Sequence, residues 1–522
     1  MVHLLSSQIR CTLFVVLLFF FITPFPFPLH AQDHSLTVLH SVKTALENQP
    51  DIDLTRLDIE YAYSRLEELS GQFDLRLSSR VKHGQTRTTL DKAGSAAASK
   101  DEQQLTETSY NFGLSRDFRT GLNISPVIET ARQKTDISSY PAVSTSGVYL
   151  VATMPLLKGR GYEAAAGLET AARQDTQVAQ NEMRHLISRV VRDTSLAYWE
   201  YVLRYASLEQ LKLSEQWAAE LVSQTRALVE ADELPASEID EARANHAEKS
   251  ALRFSAEQEL IASRLNLGLV MGVSFELIRS LPLPEDKFDL MKNNLKSLNI
   301  IDEGLLIEHA VISRHDVESS RLREVSAATR ENAMKNQLLP QLDLGMRVGY
   351  QGLSEGSSYD RMIRSTGSNI PGLSGQISLT YEFPVGNREA MGRLNQQSIE
   401  KRRQAIRTRD LIRTVKSNVY TSISILHRNY LELQNLSTAV DMYVQAVENQ
   451  FMRYRLGMGT QTELINIKDR LTQARLGKIS AQYHCAVALT NLRFESGTIV
   501  EFEAEKAVVG MDHLMNIPIL QP

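Results

Sequence analysis

The side chains in this sequence that could carry out chemistry are few and scattered. Gly159-Arg160-Gly161 places two glycines around a cation, as a phosphate cradle would. The stretch is too short for a phosphate loop, and no Lys-Ser or Lys-Thr pair follows, so it reads better as a hinge from strand to helix. The twelve histidines show no zinc-ligand spacing, and no metal or other cofactor is implied. Cys485 lies in Tyr483-His484-Cys485-Ala486-Val487, on a helical pattern, and reads as a buried structural thiol. No nucleophile–base pair follows from spacing, so an enzyme is not expected. What remains is a set of carboxylates just after two tight turns. Glu238 and Glu241 follow a turn holding Asp232 and Pro235, and Glu463 follows one holding Gly457 and Gly459. Their plain reading is solvated helix-start carboxylates, favoured there by the helix dipole.

The elements that position these residues are long. Ile187, Val191, Thr194, Tyr198, Tyr201, Tyr205 and Leu208 recur in alternating steps of four and three, the seam of a coiled coil. Two segments, about 162–231 and 388–456, contain no proline. At 1.5 Å per residue each would be a rod on the order of 100 Å, far beyond the ~11–12 residues of an ordinary globular helix. Shorter helices are predicted at 237–271 and 461–495, and further helical segments at 35–71 and 302–338.

The chain also repeats itself. Displaced by 225 positions, Ser237-Glu238-Ile239 meets Thr462-Glu463-Leu464, Asn266-Leu267 meets Asn491-Leu492, and Gly272 meets Gly497. A duplication organises the sequence into a first repeat, 32–272, and a second, 302–497. A linker at 273–301 holds Leu281-Pro282-Leu283-Pro284, which cannot continue a helix, and a tail at 498–522 is its counterpart.

Between helical segments lie strands, within 73–156 and 340–384. Leu342, Leu344, Met346, Val348 and Tyr350 alternate with Asp343, Gly345, Arg347 and Gly349. One apolar and one polar face fit a transmembrane barrel, and also a soluble hairpin with one buried face. Four alternating stretches appear in the first repeat: Phe73–Val81, Thr108–Phe118, Gly121–Glu129 and Val148–Met154. Serine- and glycine-rich segments at 88–106 and 352–374 read as loops. Pro155 with Gly159 and Gly161, and Pro384 with Gly386, mark the strand-to-helix hinges.

Composition agrees with export rather than with helical membrane insertion. Mean hydropathy is −0.23, against a bundle of membrane helices, and a net charge of −5 leaves no basic footprint for nucleic acid. Arg10 precedes the apolar run Cys11–Thr23, and Leu29-His30-Ala31 supplies a small residue at a cleavage point. Residues 1–31 therefore read as a secretory signal peptide, with an uncleaved anchor as the alternative. Any spanning structure in the mature chain must be a closed β-barrel.

Several motifs carry a family resemblance. They are Asn48-Gln49-Pro50-Asp51 and its counterpart Arg314-His315-Asp316, Leu339-Pro340-Gln341-Leu342-Asp343-Leu344, Met154-Pro155-Leu156-Leu157-Lys158-Gly159-Arg160-Gly161, and Arg453–Leu464 with Gly457-Met458-Gly459-Thr460 at its centre. Over about 35–497 the chain resembles the TolC-like outer-membrane factor family. The resemblance implies a mainly α fold with a membrane β-barrel: a homotrimer whose α-barrel tunnel joins a shared barrel in the outer membrane and extends into the periplasm. It implies a passive exit duct for efflux or type I secretion, docked onto a periplasmic adaptor and an inner-membrane pump. It places Glu238, Glu241 and Glu463 around a closed entrance, with Tyr454 as a gate tyrosine able to bond Glu238. Two positions depart from the pattern: Asn466 stands for a second acidic residue, and Gly459 for a latch arginine. The alternatives are a periplasmic adaptor with coiled-coil hairpins and a structural envelope coiled coil. For the barrel, four strands from the first repeat and two from the second give eighteen in a trimer; the other option is twelve, with 108–129 as an extracellular hairpin.

Overall fold

The computed structural model of the protein describes residues 36–98, 100–137, 142–288, 302–503 and 506–518. The segment read as a signal peptide lies outside the described residues, as do parts of the linker and of the tail.

Two helices open the described chain, α1 (Val38–Asn48) and α2 (Pro50–Ser70). They are separated at Gln49 because Pro50 holds the residue before it in extended backbone, and Pro50 then occupies the first position of α2. After a 3-10 turn, Gly71–Phe73, come β1 (Arg76–Thr89), α3 (Lys92–Ala98), β2 (Glu102–Asp117), β3 (Asn123–Thr135) and β4 (Val143–Pro155). Next are the short α4 (Tyr162–Ala165), the long α5 (Gly167–Glu230) and α6 (Ser237–Val270). The linker adds α7 (Phe275–Ser280). The same order then returns as α8 (Glu303–Ser313), α9 (His315–Asn336), β5 (Gln341–Glu355), α10 (Arg361–Arg364), β6 (Leu373–Glu382), α11 (Arg388–Arg455) and α12 (Gln461–Glu495). The hairpin β7 (Glu501–Glu503) and β8 (Lys506–Val508) and α13 (Met511–Met515) complete the tail. Among the described residues no helix is long and apolar enough to cross a membrane.

Several sequence expectations are corrected in detail. The first long helix begins at Gly167, with α4 as a separate turn, since Gly167 lies against Ala333 where a Cβ would not fit. Phe73 is in the 3-10 turn, buried under the Arg119 guanidinium. The segments read as loops at 88–106 and 352–374 contain α3 and α10 and the ends of flanking strands.

In one half of the molecule α2 packs on α5, α5 on α9, and α9 on α11. Toward the tips, α6 takes the place beside α5, and α12 packs on both α5 and α11. The main core lies where these sets meet. There Val191, Tyr198, Trp199 and Tyr201 of α5 pack with Val42 of α1, Leu306 of α8 and Leu489 of α12. Of the predicted stripe, Val191, Thr194, Tyr198, Tyr201 and Leu208 are buried, and Ile187 and Tyr205 are partly buried. Tyr198 Oη donates to the Leu36 carbonyl at 2.8 Å and lies 2.8 Å from Asp286 Oδ2, and the same carboxylate caps Val38 N at 2.7 Å. One buried carboxylate of the linker thus ties down the start of the described chain.

The six main strands form one antiparallel sheet in sequence order. Its two faces differ in chemistry. Across one pairing row Ser79, Phe112, Ile128, Val148, Tyr350 and Leu373 share a face. One residue along, Arg80, Asn111, Glu129, Gly147 and Gln351 share the other. Side chains on the apolar face are largely uncovered, as at Phe112, 46% exposed, and Ile377, 76% exposed. Farther from the helices that face turns polar, with His83, Thr108, Arg132, Ser144 and Ser354 in one row. An apolar belt bounded by polar residues is what a lipid-facing barrel wall requires.

Candidate functional site

The two long helices end in the same way. At the end of α5, Asp232 takes the left-handed conformation (φ 61°), and Glu233 N donates to the Leu228 carbonyl. At the end of α11, Gly457 does so (φ 71°), and Met458 N donates to the Arg453 carbonyl at 2.9 Å. Each is a Schellman ending that satisfies carbonyls the helix leaves free. The next helices start differently. Pro235 supplies its carbonyl to Glu238 N at 3.1 Å, whereas α12 begins with a capping box between Thr460 and Glu463.

The capping box decides what Glu463 does in this structure. Its Oε2 accepts from Thr460 N at 3.2 Å and from Gln450 Nε2 at 2.9 Å. Glu241 accepts from Thr462 Oγ1 at 2.8 Å, across the gap between the two tips. Glu238 is half-buried, and its backbone carbonyl accepts from Gln461 Nε2 at 2.9 Å. Burial raises the Tyr454 phenol above its ordinary range, and the nearby Glu238 charge adds to this. Among the described residues no hydrogen bond joins Tyr454 to Glu238. At Gly459 a Cβ would come within 2.9 Å of Gln450 Nε2, so a latch arginine there would displace that amide.

Two residues that sequence reasoning passed over connect the tips. Thr225 Oγ1 donates to Gln461 Oε1 at 2.7 Å, and both side chains are buried. Gln461 therefore spends its amide oxygen on α5 and its amide nitrogen on the start of α6. Deeper, Lys249 of α6, almost fully buried, pairs with Asp469 of α12 at 2.8 Å. Beside the linked tips a cleft of about 800 Å³ is lined by Leu228, Leu234, Phe451, Tyr454 and Gly459, among others.

The strand–helix hinges lie at the opposite ends of the long helices. Gly159 and Gly161 have φ of 84° and 89°, and Gly159 N donates to Asn336 Oδ1 at 2.6 Å. After β6, Pro384 accepts from Asn387 N at 3.1 Å, and it is Asn387, not Gly386, that turns left-handed, at φ 34°. Cys485 is buried, which pushes its thiol up to about 12, so it is no nucleophile at ordinary pH. Among the described residues no group of three or more His, Cys, Asp or Glu side chains could hold a metal.

Residues 306–498 match the family described as outer membrane efflux protein. The match spans the second repeat almost from end to end. No curated protein sequence matches the chain. Solved structures extend the likeness from this segment to most of the chain. The Campylobacter jejuni CmeC outer membrane channel is 13% identical with a TM-score of 0.62, covering 88% of this chain and 85% of that one. The outer membrane protein VceC from Vibrio cholerae is 15% identical with a TM-score of 0.60, covering 88% and 96%. The open state of the Neisseria gonorrhoeae MtrE outer membrane channel is 14% identical with a TM-score of 0.56, covering 88% of each. The TolC-like resemblance read from the sequence is borne out.

Proposed function

We propose that the protein is the passive, gated outer-membrane exit duct of a tripartite efflux or type I secretion system. It works as a homotrimer, with three sheets closing one barrel and three sets of helices forming a tunnel into the periplasm. A periplasmic adaptor and an inner-membrane pump supply the energy, and no reaction is catalysed. The observation that carries this reading is the join of two unlike parts in one chain. A sheet with an exposed apolar belt on one face and a polar opposite face is continuous with helices of 64 and 68 residues, roughly 95–100 Å long at 1.5 Å per residue. A solvent-exposed belt is costly unless lipid covers it, and an open sheet edge cannot face lipid. The family of the second repeat and the fold of the three channels support the same conclusion. The adaptor alternative is dropped, because among the described residues six strands form one sheet at the far end of two hairpins and no separate soluble β-domain stands beside it.

Glu238, Glu241 and Glu463 are proposed to ring the narrow end of the tunnel, held in place by the Gln461 and Thr462 links. The test is conductance of the purified, full-length protein in planar bilayers, without nucleotide. Stepwise, cation-selective currents blocked by multivalent cations from the tip side are expected. Protein that inserts but conducts nothing, with or without the Gln461 link, would overturn the duct.

A further inference from the structure

We infer that all six strands of each chain cross the outer membrane, so that three chains close a barrel of eighteen strands, wider than four strands per chain would give. The inference rests on the membrane duct proposed above and goes beyond it, because β2 and β3 could have formed a hairpin outside the bilayer. Three observations place them in the wall. The first is pairing. β1 pairs with β2 along its whole length, from Arg76↔Ser115 to Thr89↔Glu102, β2 with β3, and β3 with β4. If β2 and β3 left the wall, β1 would have to pair with β4 instead.

The second observation is the belt. Phe112 and Ile128 are paired with each other and stand in the same row as Val148, Tyr350 and Leu373. They are 46% and 44% exposed. Neighbouring polar positions, Asn111 and Glu129, face the other side. A hairpin in water has no reason to uncover large apolar side chains at the height where the rest of the sheet does so.

The third is the anchoring of the β2–β3 turn. Arg119 in that turn forms a two-pronged ion pair with Glu169 of α5, at 2.7 and 2.8 Å, and Glu169 is 2% exposed. Gly161 N donates to the Thr120 carbonyl at 3.0 Å, and a Cβ at Gly121 would run into the Gly159 carbonyl. The hairpin is therefore fixed at the helix end of the sheet and must rise through the full height of the wall. Barrel diameter grows with strand number, and walls of about 16–18 strands leave a water-filled channel. The barrel then holds a water-filled channel, and selection falls to the tips.

The experiment uses the full-length protein with single cysteines at Phe112→Cys, Ile128→Cys or Ile377→Cys, each carrying an environment-sensitive fluorophore, in vesicles of brominated phosphatidylcholine. Cys485 is buried and takes little label. Quenching at 112 and 128 should match that at 377 within about twofold. Strong quenching at 377 with little at 112 or 128 would place the hairpin outside lipid and overturn the inference, and the reverse would remove β6 from the wall and overturn it too. No quenching at any of the three would instead sink the membrane reading itself. Closure is tested separately by pairing Arg80→Cys with Gln376→Cys, Ser378→Cys or Thr380→Cys. Oxidation should give crosslinked trimers for at least one pair, and crosslinking in none would overturn closure through β1 and β6.

Discussion

Gln461 illustrates how much of the tip depends on one buried amide. Its oxygen accepts from Thr225 and its nitrogen donates to the Glu238 carbonyl. Gln461→Ala would leave a buried hydroxyl without its partner, at a cost of about 1–3 kcal/mol, and would remove one of the links that hold the start of α6 to α12. The expected outcome is a several-fold higher open fraction in bilayers with the melting temperature of the assembled protein nearly unchanged; an unaltered open fraction would show that the link does not gate. The carboxylates should act differently. Replacing Glu238, Glu241 and Glu463 together by Gln keeps the capping-box pattern at Thr460 and removes three charges per chain. Cation selectivity and multivalent block should both weaken while stability holds, since exposed carboxylates add little to folding. If both persist, these are ordinary helix-start charges. The carboxylates were legible in the sequence because a tight turn announces a helix start. Gln461 and Thr225 were not, because their pairing spans 236 residues and a buried amide has no local signature.

At the scale of elements, strand existence was legible and strand length was not. Alternation on β1 fades after Val81, yet pairing continues to Thr89. Beyond the belt the outward positions become His83, Gln85 and Arg87, so periodicity marks only the lipid-facing part of each strand. Packing between elements carries a pH dependence that no periodicity foretells. His315, at the start of α9, lies edge-on to Phe502 of β7 at 4.8 Å, with Nδ1 3.3 Å from Asn181 Oδ1 of α5. Burial lowers its pKa to about 4, and the charges of Arg184 and His185 act in the same direction against Asp316. The folded state therefore keeps the ring neutral while the unfolded chain protonates it near 6.5. Between pH 6.5 and about 4 the unfolded state binds more protons, so stability falls as pH falls. Melting curves of wild type and His315→Gln should converge at pH 7 and separate toward pH 4, with the variant losing less. Parallel curves across that range would remove His315 as the cause.

At the scale of the whole molecule, the single chain is unfinished on both flanks of both parts. The sheet ends in β1 and β6 with no partner beyond them among the described residues. The helical layer that runs α2–α5–α9–α11 ends the same way. On α2, Leu54, Leu57 and Tyr61 are 59%, 58% and 75% exposed, three and four residues apart along one stripe. On α11, Ile399, Ile406 and Tyr420 are exposed at multiples of seven, another stripe. The two stripes lie on the outermost helices of the layer, so the surface offered by one flank differs from that offered by the other. Such unlike flanks pair head to tail, and a ring closes when the rotation per chain permits. In the sequence the trimer entered through the family resemblance. The helical flanks were hidden because α2 and α11 mix charged residues into their apolar stripes, and only burial by neighbouring helices separates the covered face from the uncovered one. The wild-type protein should therefore appear in native mass measurements in detergent as a trimer. Ile406→Asp or Tyr61→Asp would place a charge in the joint between chains, where an unpaired buried charge costs several kcal/mol. Either substitution should shift the population toward monomer, whereas Arg393→Asp, off the stripe at an exposed position of the same helix, should do so far less. A stable wild-type monomer, or trimers equally indifferent to all three changes, would mean that these stripes are not where the chains meet.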